Sequence, residues 1–309
     1  MRPSPHVLVA VDLRRVRANA REILERTGVP LIAVVKADAY GLGAERVTTA
    51  LADLVESFCV FSPEEAIRID LWRNTGKVAL AIGPPPMLDP ADYQAHHVRP
   101  AVSSPQQAEA LRSARPVLCV DTGQQRFSCP IENVAETFHR GHCEEAYTHA
   151  ATLQQVRILR DAMNGRSARL HAAGSSLLNE PAAWLDAVRP GLALYRGAVR
   201  VSTRLVETRK STGPAGYTGF TVPYHGVILA GYSNGLKAGP CLINGQSSRI
   251  LEVGMQSAFV ETGPKDRAGD EVVLLGDSLT EQSVAAVWNT SPHECLVRMT
   301  SLGNREYAE

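Results

Sequence analysis

Leu31-Ile-Ala-Val-Val-Lys36-Ala-Asp-Ala-Tyr40-Gly-Leu-Gly43 is the stretch on whose reading the fold turns. It opens as a short apolar run rich in β-branched residues, the texture of a strand buried on both faces. A lysine stands where the run stops, followed by a tyrosine and two glycines. Burying an ammonium without a partner is costly, so Lys36 is paired, shifted toward the neutral amine, or used covalently, unless it merely leaves the strand for water.

Working outward, similar apolar runs recur near 57–61, 78–82, 98–102, 116–120, 145–148, 168–172 and 190–194. Helix starts lie between them. Ser62-Pro-Glu-Glu65, Ser104-Pro-Gln-Gln107 and Thr152-Leu-Gln-Gln155 each read as a capping box, the first two with proline at the first helical position. Ahead of the first run, Asp12 to Arg26 reads as a helix capped by Asp12. Leu13, Val16, Ala20, Ile23 and Leu24 fall on one face of it, and Gly28 and Pro30 end it. Eight strands alternating with helices predict an α/β fold, a (β/α)8 TIM-type barrel over residues 10–200, although a doubly wound sheet shares the alternation. After Tyr195 the texture changes. Val199 to Thr208, Val222 to Ala230, Arg249 to Glu261 and Glu271 to Leu275 are β-rich, and Asn244-Gly245 is a hairpin signal. Leu279 to Trp288 and His293 to Met299 read as short helices. A smaller, mainly β C-terminal domain over 201–309 is expected.

Composition narrows the function. With 309 residues, a 44% apolar fraction and zero net charge, the chain reads as an ordinary globular protein with no basic tract for nucleic acid or anionic membrane. The opening residues lack the apolar run of a secretory signal, and no stretch reaches membrane-spanning length. Six cysteines are scattered without a CxxC pair, which suits reduced thiols in a cytoplasm. His139, His142 and Cys143 lack a fourth ligand at metal-binding spacing, so no metal is expected.

In a parallel barrel, chemistry collects at the C-terminal strand ends. The residues just past the runs are Lys36, Ser103, Asp121 with Arg126, His149, Ser175 and the segment from Arg189 to Leu192. Cations and hydroxyls in that number suit an anionic cofactor. Gly191 and Leu192 can offer backbone N–H groups to a phosphate and Ser175 a hydroxyl.

Val-Val-Lys36-Ala-Asp-Ala-Tyr40-Gly-Leu-Gly closely resembles the pyridoxal phosphate lysine motif of alanine racemases. Asp121-Thr-Gly-Gln-Gln-Arg126 resembles that family's DTGMxR, Thr148-His149-Ala-Ala its THFA, and His171-Ala-Ala-Gly-Ser175 its HxANS. Arg189-Pro-Gly-Leu-Ala-Leu-Tyr195 is similar to RxGIALYG, Gly216-Tyr217 falls where the VSYG tyrosine belongs, and Gly231-Tyr-Ser-Asn-Gly235 resembles GYADG. Seven motifs in family order span nearly the whole chain. The resemblance implies a fold-type III pyridoxal phosphate enzyme in which the N-terminal strand 1–9 joins the β domain. It implies that Lys36 carries the cofactor and is one of two catalytic bases, the other being Tyr217 from the partner subunit of a homodimer with shared active sites. His149 and Arg189 would support the tyrosine, and Arg189 would meet the pyridine nitrogen. Tyr40, Ser175, Gly191 and Leu192 would hold the phosphate. Arg126 would face the phenolic oxygen or the substrate carboxylate, with Tyr232 and Met255 also on the substrate side.

The pattern departs at several points. Cys119 stands where many relatives carry a lysine that orients the arginine now at 126. Gly174 replaces the asparagine of HxANS, Asn234 the aspartate of GYADG, and Gln256 the aspartate of the MDQ segment. Ser301 falls where some relatives place a phosphate-binding tyrosine, Arg196 is inserted into the LYG turn, and loops after Arg126, His149 and Tyr217 are short. A racemase acting on alanine or a larger amino acid is the leading expectation. A pyridoxal phosphate enzyme with another outcome (decarboxylation, aldol cleavage, elimination) and a cofactor-binding paralogue without turnover are the alternatives.

Overall fold

The computed structural model describes residues 3–86 and 89–308. Met1 and Arg2 of the expected N-terminal strand, and Glu309 at the end of the expected β domain, lie outside the described residues. The chain forms two compact units. One holds residues 16–39 and 43–194, and the other holds the chain up to Arg15, Tyr40–Leu42 and everything from Tyr195 onward.

Strand β1 (Ser4–Asp12) belongs to the second unit. The first unit is built on β2 (Ile32–Val34), β3 (Ser57–Val60), β4 (Ala79–Ala81), β5 (Val98–Val102), β6 (Val117–Cys119), β7 (Glu145–Ala150) and β8 (Arg169–Ala173). Each pairs in parallel with the next, in chain order. Their runs are buried on both faces, as the unbroken apolar stretches require. Leu80, Ala101, Val117, Cys119 and Tyr147 form one core cluster, and each large apolar side chain buried this way contributes about 1.5–3 kcal/mol.

The ring closes through residues 187–190. Val188 bridges in parallel to Leu31 and Ala187 to His171, while Val34 N donates to Pro190 O (3.0 Å) and Arg189 N to Ala173 O (2.7 Å). The closing segment thus precedes the run 190–194 read as a strand from sequence. Leu192–Tyr195 is helical instead, and Pro190 has no N–H to extend the ladder.

Helix Leu13–Thr27 begins where expected, with Asp12 Oδ1 accepting from Arg15 N (3.1 Å). Of its apolar face, Leu13, Val16, Ala20 and Ile23 are buried. Thr152 and Gln155 form a full capping box. Ser104 accepts from Gln107 N, but the Gln107 side chain turns to Ser103 N (3.0 Å), so that box is half made. Ser62 makes no side-chain cap at all. Glu65 reaches past it to Phe61 N (2.7 Å) and Ala37 N (2.9 Å), N–H groups just beyond two strands, where the ladder no longer supplies acceptors.

The second unit carries β9 (Val199–Lys210), β10 (Tyr224–Ile228), β11 (Gly239–Ile243), β12 (Gln246–Val253), β13 (Ala258–Glu261), β14 (Glu271–Leu275) and β15 (Gly303–Ala308). Their order is β10-β13-β12-β11-β14-β9-β1-β15, and β10 also pairs with the far half of β9. Twelve residues let β9 serve both partners, so the strands from β9 to β14 close on themselves while β1 and β15 extend the edge. β15 runs parallel to β1. Asn244 (φ 47°) and Gly245 (φ 79°) make the β11–β12 turn, which needs left-handed backbone at both positions. No helix among the described residues is long and apolar enough to cross a membrane.

Candidate active site

Lys36 follows β2 at the C-terminal mouth of the barrel. Ala37, Asp38, Ala39 and Tyr40 then take φ of 54°, 56°, 53° and 57°, a left-handed turn made of L-residues. Each such residue costs roughly 1–2 kcal/mol, so the turn persists because other groups over-determine it. Glu65 holds Ala37 N, Asp38 Oδ1 accepts from Ala44 N (2.8 Å), Ala39 N donates to Val35 O (2.8 Å), and Ala39 is fully buried. Lys36 is half-buried. Desolvation pushes its ammonium below the ordinary lysine range, with Arg126 and Arg189 adding repulsion and Glu65 opposing it. The amine is therefore easier to use as a nucleophile or base than an exposed lysine.

Arg189 is 4% exposed and held from several sides. Nη1 donates to His171 Nδ1, Nη2 donates to Thr148 O (3.0 Å), and the guanidinium lies 4.4 Å from the centroid of the Tyr147 ring. Tyr147 in turn stacks on His171, 5.3 Å between centroids and 5° between planes. Because a guanidinium can only donate, Nδ1 must accept, which leaves the ring proton on Nε2. Nε2 lies 2.8 Å from Glu145 Oε1, and Arg99 Nη1 holds the other oxygen at 2.5 Å. Burial depresses His171 to about 4, with Arg189 adding to the effect against Glu145, so the imidazole is neutral near pH 7. Burial would raise the Glu145 carboxyl, but His171 and Arg99 outweigh it and bring it to about 2. A buried chain Arg99–Glu145–His171–Arg189 results, alternating in charge where it is charged and ending at the mouth of the barrel.

Beside Arg189, Ser175 Oγ accepts from Gly191 N (3.1 Å) and Ala193 N (3.0 Å), so the hydroxyl keeps its own proton to donate. Such a donor matches a phosphate in kind. His149 sits exposed near the end of β7. A Cβ on Gly174 would lie 3.8 Å from Arg189 O and 4.0 Å from His149 Cε1, so glycine there leaves room beside both. Arg126 is exposed on the loop after β6, its guanidinium 5.6 Å from the Phe127 ring, which meets Phe61 edge-on at 6.4 Å. Burial raises the Cys119 thiol to about 11, so it supplies no anion to that arginine. All six cysteines are free and buried.

The second unit gathers the other residues singled out from sequence. Tyr40 is buried with its ring 5.1 Å from Tyr195, and its carbonyl accepts from Thr300 Oγ1 (2.9 Å). Tyr217 is 92% exposed, and Tyr232 and Met255 are exposed as well. They meet around Gly254: Tyr232 N donates to its carbonyl (2.9 Å), and Tyr217 Cε2 lies 4.0 Å from where its Cβ would be. Asn234 Oδ1 accepts from Gly231 N (2.9 Å), which stabilises the turn.

Sequence reasoning assigned no site role to His171, Glu145, Arg99, Glu65 or Glu252, although His171 stands in the HxANS-like motif and Glu65 in an expected capping box. A signal was present for the first three. Each is a titratable residue at or inside an apolar strand run, and a buried ionisable group needs a partner. Two-residue periodicity does not say which strands supply that partner.

Two family models match: "Alanine racemase, N-terminal domain" over residues 11–199 and "Alanine racemase, C-terminal domain" over residues 215–307. A biosynthetic alanine racemase of Escherichia coli is 28% identical over 355 aligned positions, covering 97% of this chain and 99% of that protein. The alignment is longer than this chain, so the relative carries insertions. The same identity and coverage hold for an alanine racemase of Shigella boydii. Among solved structures, the biosynthetic alanine racemase of Pseudomonas aeruginosa superposes with a TM-score of 0.89 at 24% identity, covering all of both chains. An alanine racemase of Bartonella henselae, with covalently bound pyridoxal phosphate, gives 0.87 at 22% identity over 99% of this chain and all of that one.

Proposed function

Because the chain belongs to the alanine racemase family, we propose that it is a pyridoxal phosphate-dependent amino-acid racemase in which Lys36 and the partner subunit's Tyr217 work on opposite faces of Cα. The observation that carries this reading is the half-buried Lys36, depressed by desolvation and by Arg126 and Arg189, on a turn held in a costly conformation. When bound, pyridoxal phosphate supplies the electron sink that acidifies the Cα proton. Ser175, Leu192 and Tyr40 would hold the phosphate, and Gly191, whose N–H donates to Ser175 Oγ, would contribute by aiming that hydroxyl. Arg189 would meet the ring nitrogen, and His171, Tyr147 and Thr148 keep it aimed. A guanidinium keeps its own proton, so Arg189 would leave that nitrogen unprotonated, and the weaker sink would favour return of the proton to Cα over the competing outcomes. Arg126 would take the substrate carboxylate.

Lys36 removes the proton from one enantiomer and Tyr217 returns one to the other face, the roles reversing for the other enantiomer. His149 and Arg189 would support Tyr217 in this acid–base role. The glycine at 174, and Asn234 and Gln256 in place of acids, favour a substrate larger than alanine. Six free buried thiols support the cytoplasm as the working compartment.

A panel of L-amino acids, alanine included, in deuterated water tests the reading. Inversion with deuterium at Cα, faster for a larger amino acid than for alanine, is expected. Released carbon dioxide would favour a decarboxylase, and absence of exchange a binding protein without turnover.

A further inference from the structure

Tyr217 projects almost wholly into solvent, so the side chains of its own unit do little to aim it. Its backbone is held instead. Residues 215–220 form a tight loop closed by Ala215 N donating to Phe220 O (2.9 Å), with Gly216 at φ +71°. Under this loop lies the carboxylate of Glu252, a residue of β12 that is 7% exposed. Oε1 accepts from Tyr217 N (2.9 Å), and Oε2 accepts from Thr218 N (2.7 Å) and from Thr218 Oγ1 (2.5 Å). The fit leaves no slack. A Cβ at Gly216 would stand 2.7 and 2.9 Å from the two carboxylate oxygens, so glycine is needed both for the positive φ and for the approach of Glu252.

We propose that Glu252 is the positioning residue for Tyr217, clamping the 215–220 loop so that the phenol is presented at a fixed place to the substrate. This rests on the reading of Tyr217 as the second base. The chemistry of the clamp demands a carboxylate. Three donors converge on it, and a carboxylate offers two acceptor oxygens and no proton of its own. Those bonds, first from the Thr218 hydroxyl and then from the Tyr217 N–H, hold the Glu252 carboxyl below its ordinary range. A glutamine of the same shape keeps one oxygen and turns an NH2 toward a backbone N–H. A tyrosine anchored only by its own main chain is sensitive to such a change, because a shift of about 1 Å in a catalytic group lowers rate by about 100-fold.

The test uses the property that a misplaced Tyr217 disables one half of the proton exchange and leaves the half run by Lys36. Each enantiomer of the best substrate is incubated with holoenzyme in deuterated water, and deuterium in the recovered substrate is compared with inversion. In Tyr217→Phe the ratio of exchange to inversion should rise for the enantiomer served by Lys36 and not for the other. Glu252→Gln should raise the same ratio, for the same enantiomer, by about tenfold or more, with the visible absorption of the bound cofactor unchanged. Thr218→Val, which removes only the hydroxyl bond, should give a smaller rise of the same kind and carries the test if the Glu252 variant does not fold. If Tyr217→Phe leaves the ratio unmoved, the assignment of Tyr217 fails. If Tyr217→Phe raises it while Glu252→Gln, or in its place Thr218→Val, loses both directions equally or loses nothing, the clamp is refuted.

Discussion

His171 shows how one buried side chain links stability to the site. It is fully buried, accepts from Arg189, and stays neutral because burial depresses its pKa to about 4 from an unfolded value near 6.5. The folded state therefore binds fewer protons than the unfolded state between those values, and stability is lost as pH falls from about 6.5 toward 4. The loss is on the order of 3 kcal/mol. Glu145, brought to about 2, adds a further loss in the same direction below the ordinary glutamate range. Denaturant midpoints across pH 4–7 should fall on acidification in the wild type. His171→Asn should flatten the upper part of that curve, and a slope left unchanged would mean that His171 is not the titrating group. A second residue-scale outcome concerns Lys36: in Lys36→Ala the visible absorption of covalently held cofactor should vanish along with turnover.

Among the elements, the left-handed turn after Lys36 is the most informative. Leu31–Val35 is legible as a strand from its composition alone, because burial on both faces selects apolar β-branched residues. The turn is not legible, since Ala37, Asp38 and Ala39 carry no bias toward positive φ strong enough to announce it. What makes it possible is Glu65, whose carboxylate binds Ala37 N and Phe61 N, two groups far apart in the chain. The same glutamate read from sequence as half of a capping box. Glu65→Ala should leave both N–H groups without that acceptor and lower stability by about 1–3 kcal/mol. It should also weaken retention of pyridoxal phosphate, measured by the cofactor's release on dialysis. A variant that unfolds and binds as the wild type does would show that the turn holds itself.

For the whole molecule, the proposed pairing of Lys36 with the partner's Tyr217 makes a quantitative prediction. Lys36→Ala and Tyr217→Phe should each be inactive alone as homodimers. Unfolded together in equal amounts and refolded, they should recover about a quarter of wild-type activity. Half of the dimers are then mixed, and each mixed dimer has one site with both lesions and one with neither. No recovery would place both bases in one chain. The chain's own pattern determined the alternation of strand and helix, the change to a β-rich unit after Tyr195, and the order of motifs carrying Lys36, Arg189 and Tyr217, because periodicity, turn residues and spacing are properties of neighbours in sequence. Only the tertiary structure decided that the barrel closes through 187–190, that Arg99, Glu145 and His171 stand behind Arg189, and that Glu252 holds the Tyr217 loop. Those are meetings between residues far apart in the chain, and a buried charge takes its partner from whichever strand the fold lays beside it.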